Sequence, residues 1–353
     1  LHRLAERAEA LGGVWIRRQW REDLTRQALS ALHMFIKDKQ YLVKDDKVQI
    51  IDEYTGRVMP DRSWEHGLHQ MIEAKEGCAV TRRVDPLARI SYQRFFRRYL
   101  RLAGMTGTAH EVAGELWSVY RLATVAVPTN RPLKRRGLPT RVYPSAKAKW
   151  QSVVDSIAAQ QNAGRPVLVG TRSVAASEHL SGLLTARGLE HQVLNARQDR
   201  EEAEIVASAG ERCRITVATN MAGRGTDIRL PHSSRDLGGL HVIATELHEA
   251  RRIDRQLFGR CGRQGDPGSY EAIISLEDEL VRVYAYRWWQ KLGALLPRLG
   301  DGANDWARAA TFELAQRAAE RLHYRMRRHL LKMDEQLAAA LAFSGRAEGM
   351  TTQ

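Results

Sequence analysis

The amino-acid sequence predicts an α/β protein in which helices cover a parallel β-sheet and one long helix follows. Between residues 151 and 276, short apolar segments rich in β-branched residues alternate with amphipathic segments. The apolar segments are largely continuous, which is typical of strands buried on both faces of a parallel sheet. From residue 303 onwards the apolar side chains recur mainly four apart, and this spacing predicts a single amphipathic helix.

The part of the chain before this sheet is predicted to combine helices with a β-hairpin. Apolar residues recur at helical spacing in the first 35 residues. Asp45 and Asp46 separate two short strand-like runs, and acidic residues at such a place favour a tight turn. The predicted elements are a helix ending near Phe35, hairpin strands at 41–43 and 48–51, and helices at 65–76 and 92–102.

The central segment supplies the sheet, and the last third supplies the long helix. Gly188 follows the first central helix at the place where glycine most often ends one. The long helix should contain roughly 38 residues and span about 57 Å, so it needs a partner surface. We expect it to lie across its own α/β domain rather than on a membrane. The predicted strands are 167–169, 192–194, 215–218, 240–244 and 270–275, and the predicted helices are 174–187, 201–209 and 246–259.

Composition bounds the class of protein. With 43% hydrophobic and 27% charged residues, the chain is typical of a globular protein of two domains. It contains neither a run of about 20 apolar residues nor an N-terminal signal segment. The three cysteines show no disulfide or metal-binding pattern, which favours a reducing compartment. The formal charge of +14 is compatible with nucleic acid, with an acidic membrane surface, or with a basic proteome alone.

Two glycine–arginine segments contain the candidate functional residues. The first follows the strand at 215–218 and therefore lies at the carboxyl edge of the sheet, where open α/β folds bind ligands. Its glycines allow close approach of the backbone to a phosphate, and its charged residues can bind an anion or a partner arginine. The residues concerned are Gly223, Arg224, Gly225, Thr226 and Asp227.

The second segment follows the next strand and helix. Gln256 and Arg260 lie one helical turn apart, and Arg263 follows in a glycine-flanked turn. Guanidinium groups presented in this way are suited to stabilising the charge on a transferring phosphoryl group. Any one of these residues is compatible with an ordinary turn or a solvated surface. Two such segments after successive strands favour a nucleotide site.

Seven further segments make the chain resemble the SecA family of protein-translocation ATPases. The resemblance extends from about Ala28 to Glu335, which is nearly the whole chain. It implies a RecA-like, helicase-type motor lobe followed by a long scaffold helix. The segments are Ile51–Arg57, Gly67–Gln70, Glu73–Gly77, Leu102–Ala109, Pro128–Pro132, Val167–Thr171 and Gly238–Ile243.

The resemblance also implies roles for the two glycine–arginine segments. ATP with Mg²⁺ would lie between this second lobe and a first lobe that holds most of the phosphate and magnesium ligands. Arg260 and Arg263 are the expected arginine fingers, with Arg224 next, and the other residues of the nucleotide site would be Gly223, Gly225, Thr226, Asp227 and Gln256. The implied domains are a helical remnant of the preprotein-gripping region at 1–40, the end of the first lobe at 41–130, the second lobe at 131–280 and the scaffold segment at 281–353.

The partners implied by the resemblance are a Sec-type membrane channel, unfolded preproteins and an anionic membrane surface. A homodimer is compatible with it, whereas nucleic acid is not an expected partner. The implied location is the cytoplasm, at the cytoplasmic face of the bacterial inner membrane.

The departures from the family pattern are informative. No GxxxxGK[ST] phosphate loop occurs in the sequence, so the chain alone is expected to hydrolyse ATP negligibly. Asp52 and Glu53 resemble a magnesium-binding strand end but lie too near the start for a phosphate loop to precede them, and we interpret them as structural or interdomain residues. Leu247, Phe258 and Cys261 replace more polar or smaller residues and indicate a divergent branch.

Three side chains have two interpretations each. Arginines flank Cys261 and could activate its thiolate, although a small residue filling a turn is the preferred interpretation. His241 and His248 lack metal-ligand spacing and are interpreted as structural, so no metal ligand is predicted.

Two alternative functions stay open. A nucleic-acid helicase would use the same kind of motor lobe and the same positive charge, but has no reason to carry the segments 52–57 and 67–77. A non-enzymatic adaptor would be a chain that has lost its first lobe. The chain begins at Leu1, which predicts a fragment, a processed product or an unusual start codon.

Overall fold

The computed structural model describes residues 12–37, 40–51, 58–82, 90–194, 202–219, 226–285 and 301–344. The chain divides into two compact units. The first comprises Leu1–Ala88 with Asn195–Asp199, and the second comprises Arg89–Leu194 with Arg200–Gln353.

The first unit contains the predicted hairpin and two helices. Asp45 and Asp46 both have positive φ, 52° and 56°, which is the backbone of a type I′ turn and confirms the hairpin. The second helix begins at Leu68 rather than at 65, because Gly67 lies in the left-handed region at φ 84°. The elements are α1 Arg18–His33, β1 Tyr41–Lys44, β2 Lys47–Ile51, β3 Val58–Met59 and α2 Leu68–Glu76.

The second unit contains a parallel sheet of seven strands in its described residues, in the order β4-β10-β9-β6-β8-β7, with β5 also paired to β10. Val169 of β6 lies opposite both Val217 of β8 and Ile243 of β9, so β6 is central. The five predicted strands are confirmed, whereas β4 and β5 were not predicted. The strands are β4 Arg135–Gly137, β5 Arg141–Tyr143, β6 Val167–Thr171, β7 Gln192–Leu194, β8 Ile215–Thr219, β9 Leu240–Ala244 and β10 Gly268–Ser275.

Helices cover both faces of this sheet. One apolar cluster contains Val153, Leu180 and Val217, and the other contains Leu168, Leu257 and Phe312. The side chains of Ser145 and Ser173 accept backbone N–H groups at the starts of two of the helices, as N-caps. The helices are α3 Tyr92–Phe96, α4 Ala113–Tyr120, α5 Ala146–Asn162, α6 Val174–Ala186, α7 Glu202–Ser208, α8 His232–Asp236, α9 Arg251–Phe258 and α10 Glu279–Tyr284.

The long helix, α11, runs from Asp301 to Ser344 and contains 44 residues. Its residues Phe312, Ala315 and Ala319 are buried in the apolar cluster on one face of the sheet. Further along, Arg327 pairs with Glu115 of α4 at 2.6 Å between Nε and Oε1. The prediction that this helix lies across its own α/β domain is confirmed. No helix in the described part of the chain has both the length and the apolar character needed to span a membrane.

Two helices of the second unit are several residues shorter than predicted. The helix predicted at 92–102 ends at Phe96, since Arg98 N–H and Tyr99 N–H bond three residues back and tighten the chain into turns. The helix predicted to start at 246 starts at Arg251. Residues 246–250 form a loop in which His248 N–H donates to the Asp254 carboxylate at 3.0 Å.

Candidate nucleotide site

The candidate site lies where the connections of the sheet change direction. From the central strand β6 the chain continues to β7 and β8 on one side, then crosses to β9 and β10 on the other. Such a switch opens a crevice at the carboxyl ends of the strands, which is where open α/β sheets bind ligands. Thr171, Thr219 and Ala244 end the three strands that border this crevice.

Helix α9 lies directly on the sheet beside this crevice. Its residue Leu257 is buried and packs on Gly170 of β6. A Cβ atom at position 170 would lie 2.5 Å from Leu257 Cδ2, so any larger residue would require the Leu257 side chain to move. Gly170 therefore allows this side chain of α9 to pack directly on the strand.

Arg260 and Arg263 meet the end of the first glycine–arginine segment. Arg260 Nη1 donates to the Thr226 carbonyl oxygen at 3.3 Å. Arg263 Nη1 pairs with Asp227 Oδ1 at 2.7 Å, and its Nε donates to the Gly259 carbonyl oxygen at 3.0 Å. The two segments predicted to form one site are thus in contact through four of the predicted residues.

Gln256 contacts a third motif rather than these arginines. Its Nε2 donates to Thr108 Oγ1 at 3.3 Å, and the neighbouring Arg255 pairs with Glu111 at 2.8 Å between Nη2 and Oε1. Thr108 belongs to the segment 102–109 that carries part of the family resemblance. Helix α9 therefore connects that segment to the arginine pair.

Several predicted residues lie outside the described part of the chain. These are Gly223, Arg224 and Gly225 of the first glycine–arginine segment, together with Asp52 and Glu53. Their predicted roles stay predictions. Within the described ranges, no group of three or more histidine, cysteine or acidic residues could hold a metal ion.

Cys261 supports the packing interpretation rather than the reactive one. Its side chain is 1% exposed, and burial raises the pKa of the thiol to about 11 despite the nearby Arg135 guanidinium. The sulfur lies 3.4 Å from the Ser269 carbonyl oxygen, in a turn packed against β10. A buried thiol with a raised pKa has little thiolate at neutral pH.

The native protein should therefore have one rapidly reacting thiol. Cys213 is exposed, whereas Cys78 and Cys261 are buried. Titration with an aromatic disulfide reagent at pH 7.5 should modify Cys213 at once and the other two only on unfolding. Rapid modification of Cys261 in a Cys213→Ser variant would contradict this expectation.

Two buried polar clusters near the site were missed by the sequence analysis. In the first, Lys149 Nζ lies 2.6 Å from Asp278 Oδ1 at the edge of the sheet. In the second, Asp254 of α9 is bonded to both His248 and Gln316. Lys149 and Asp278 are 129 residues apart in the chain, and Asp254 and Gln316 are 62 apart, so no local pattern could have indicated these pairs.

The sheet, the helices on both of its faces and the crevice define the class of protein: an α/β domain built on a parallel sheet, with a long helix across it. Two family models match, the SecA P-loop domain at residues 132–235 and 231–300 and the SecA preprotein cross-linking domain at residues 15–73. The chain belongs to the SecA family. This confirms the resemblance seen in the sequence.

Curated relatives match nearly the whole chain. It is 54% identical over 340 residues to protein translocase subunit SecA 2 of Nitrosospira multiformis, covering 96% of this chain and 51% of that protein. It is 50% identical over 351 residues to protein translocase subunit SecA 3 of Magnetococcus marinus, covering 98% and 53%. The chain thus spans about half the length of these relatives.

Similarity to solved structures is much lower. The Escherichia coli DEAD-box protein SrmB, solved with the regulator of ribonuclease activity A, has a TM-score of 0.33 at 18% identity. That match covers 43% of this chain and 82% of SrmB.

Proposed function

We propose that this chain is the second-lobe part of an ATP-driven motor that moves preproteins across a membrane. The observation that carries the proposal is the contact of Arg260 and Arg263 with Thr226 and Asp227 beside the crevice of the sheet. The identity of about half of all residues with protein translocase subunits supports the assignment of that motor to protein export.

The residues present are suited to the phosphate end of ATP. Arg260 and Arg263 supply two guanidinium groups, and each donates a hydrogen bond to a backbone carbonyl oxygen. Such pre-positioned cations stabilise negative charge that grows during phosphoryl transfer. Magnesium and most phosphate contacts would come from a first lobe, and closure of the two lobes would bring the arginines to the nucleotide.

The preprotein and membrane partners follow from the family. The match of residues 15–73 to the preprotein cross-linking domain supports unfolded preproteins as substrates. The charge of +14 supports contact with an anionic membrane surface, and a Sec-type channel is the proposed route. With these partners, the proposed location of the protein is the cytoplasmic face of the membrane.

The first test is hydrolysis of magnesium-ATP by this chain, alone and mixed with a first lobe from a family member. Hydrolysis should be negligible for the chain alone and should appear on mixing, since the sequence contains no phosphate loop of its own. No hydrolysis with a first lobe that demonstrably binds the chain would contradict the motor assignment and favour an adaptor.

A helicase is the second candidate, because the fold and the charge would also serve one. The molecule that stimulates ATP hydrolysis distinguishes a translocase from a helicase. A translocase should be stimulated by unfolded preprotein with channel-containing vesicles, whereas stimulation by RNA or DNA alone would favour a helicase.

A further inference from the structure

We propose that Gln316 and Glu320 of the long helix α11 are positioning residues that hold helix α9, and through it the arginine pair of Arg260 and Arg263, in the geometry that ATP hydrolysis needs. The inference rests on the proposed function, because it concerns residues that act through Arg260 and Arg263. The two side chains of α11 act on the nucleotide site indirectly, through α9.

The first contact is a buried three-residue network. Gln316 is 5% exposed, and its Nε2 donates both to the His248 carbonyl oxygen at 2.8 Å and to Asp254 Oδ2 at 2.7 Å. The other oxygen of Asp254 accepts His248 N–H at 3.0 Å and pairs with His248 Nδ1 at 2.7 Å. Both carboxylate oxygens of Asp254 therefore have hydrogen-bond partners inside the protein, where an unpaired oxygen would raise the free energy of the folded state.

The second contact supplies the missing N-cap of α9. The N-cap position of this helix is Ala250, which has no side chain able to accept a backbone N–H. Instead Glu320 Oε1 accepts Arg251 N–H at 3.0 Å, and Glu320 Oε2 lies 3.1 Å from Arg251 Nη2. A carboxylate at a helix N-terminus is favoured by the unpaired N–H groups and by the helix dipole.

Helix α9 links the contacts of Gln316 and Glu320 to Arg260 and Arg263. It contains only 8 residues, and Gly259 N–H and Arg260 N–H continue its hydrogen bonds to Arg255 and Leu257 at 2.7 and 3.0 Å. Arg263 Nε then bonds back to the Gly259 carbonyl oxygen at 3.0 Å. Because a two-turn helix moves as one piece, a shift at its N-terminus is carried to Arg260.

Gln316 and Glu320 lie one turn apart on the same side of α11. They therefore contact α9 at two positions, Asp254 and Arg251. Misplacing a catalytic group by about 1 Å can cost about 100-fold in rate. Loss of either contact should therefore lower kcat for ATP while leaving KM for ATP nearly unchanged, since the arginines act mainly on the transition state.

The test uses the 353-residue chain mixed with a first lobe, with kcat and KM measured for Gln316→Leu, Glu320→Ala and Glu320→Gln. Gln316→Leu and Glu320→Ala should each lower kcat about 10- to 100-fold. Glu320→Gln should recover most of the rate, because an amide oxygen can still accept Arg251 N–H. Arg317→Ala is the matched control, since Arg317 pairs with Glu313 on the exposed face of the same helix.

Amide hydrogen exchange supplies a second readout that does not depend on hydrolysis. In Gln316→Leu, exchange at residues 251–260 should accelerate while exchange in β6 and β8 stays as in the unsubstituted chain. Unchanged kcat in Gln316→Leu and Glu320→Ala, at a temperature at which both are folded, would overturn the inference. An equal loss in Arg317→Ala would do the same.

Failure of this inference is distinct from failure of the proposed function. If Arg260→Ala lowers hydrolysis and Gln316→Leu does not, only the positioning role is lost. If neither Arg260→Ala nor Arg263→Ala lowers hydrolysis, the proposed nucleotide site itself is lost.

Discussion

Replacing Arg260 by alanine is expected to lower kcat for ATP hydrolysis about a thousandfold in the chain mixed with a first lobe. Arg260 follows the last turn of α9, and its guanidinium is held by the Thr226 carbonyl oxygen at 3.3 Å. A guanidinium held in advance at a transferring phosphoryl group costs no reorganisation during the reaction. Its removal should therefore affect the transition state far more than nucleotide binding.

A second substitution at Arg260 separates the effect of its charge from that of its geometry, and a surface arginine supplies the control. Arg260→Lys keeps the positive charge but loses the planar fork, so kcat should remain low. Arg214→Ala is the matched control, because Arg214 is 44% exposed and pairs with Glu211 on the surface. If Arg260→Ala retained more than about a tenth of the rate, Arg260 would not be a finger, and Arg263 would become the candidate.

Replacing Lys149 by methionine is expected to destabilise the second unit by about 3–5 kcal/mol near pH 7.5. Lys149 and Asp278 have side chains only 2% and 3% exposed, and their charged atoms lie 2.6 Å apart. Removing the ammonium leaves a buried carboxylate with the Ser275 N–H, at 2.8 Å, as its remaining donor. Urea unfolding followed by circular dichroism measures the loss.

The loss of stability in Lys149→Met should depend on pH, because Asp278 titrates in the folded protein. Burial raises the pKa of Asp278 from 3.8 to about 6, even though Lys149 acts to lower it. The folded protein thus holds this proton more tightly than the unfolded chain does. The resulting stabilisation is complete below about pH 4 and is lost as the pH rises through about 6.

Without Lys149 the pKa of Asp278 should rise further, because the nearby positive charge is gone. The carboxyl group would then be protonated at pH 5, where the variant should lie much closer to the unsubstituted protein than at pH 8. A deficit that is the same at both pH values would contradict this account.

Two controls test whether the buried charge is the cause. Lys147 is exposed on the same helix, so Lys147→Met should change stability by less than about 0.5 kcal/mol. Adding Asp278→Asn to Lys149→Met removes the unpaired charge, and the double variant should recover much of the loss. If the two losses simply added, the coupling between Lys149 and Asp278 would be absent.

The α/β class, the five central strands and the long helix could all be predicted from the amino-acid sequence alone. The strands were predictable because burial on both faces leaves continuous apolar runs, and the helix because its apolar residues recur at a helical period. The contact of Arg260 and Arg263 with Thr226 and Asp227 was also predictable, since the carboxyl ends of parallel strands lie at one edge of the sheet. That these residues form a nucleotide site stays a prediction.

Elements without a local signal in the sequence could be recognised only in the folded protein. Strands β4 and β5 have three residues each, and β4 reads Arg-Arg-Gly, so its strand conformation depends on pairing with β10. Helix α9 starts five residues later than its pattern predicted, because the Asp254 side chain holds the loop before it.

The partners within two buried polar pairs could likewise be recognised only in the folded protein. Gln316 and Asp254 are 62 residues apart in the chain, and Lys149 and Asp278 are 129 apart. Each pair is buried, and a polar group is stable in such a place only if its partner is also there. A sequence pattern records what a residue shares with its neighbours along the chain, whereas these partners meet only when the sheet and the long helix have packed.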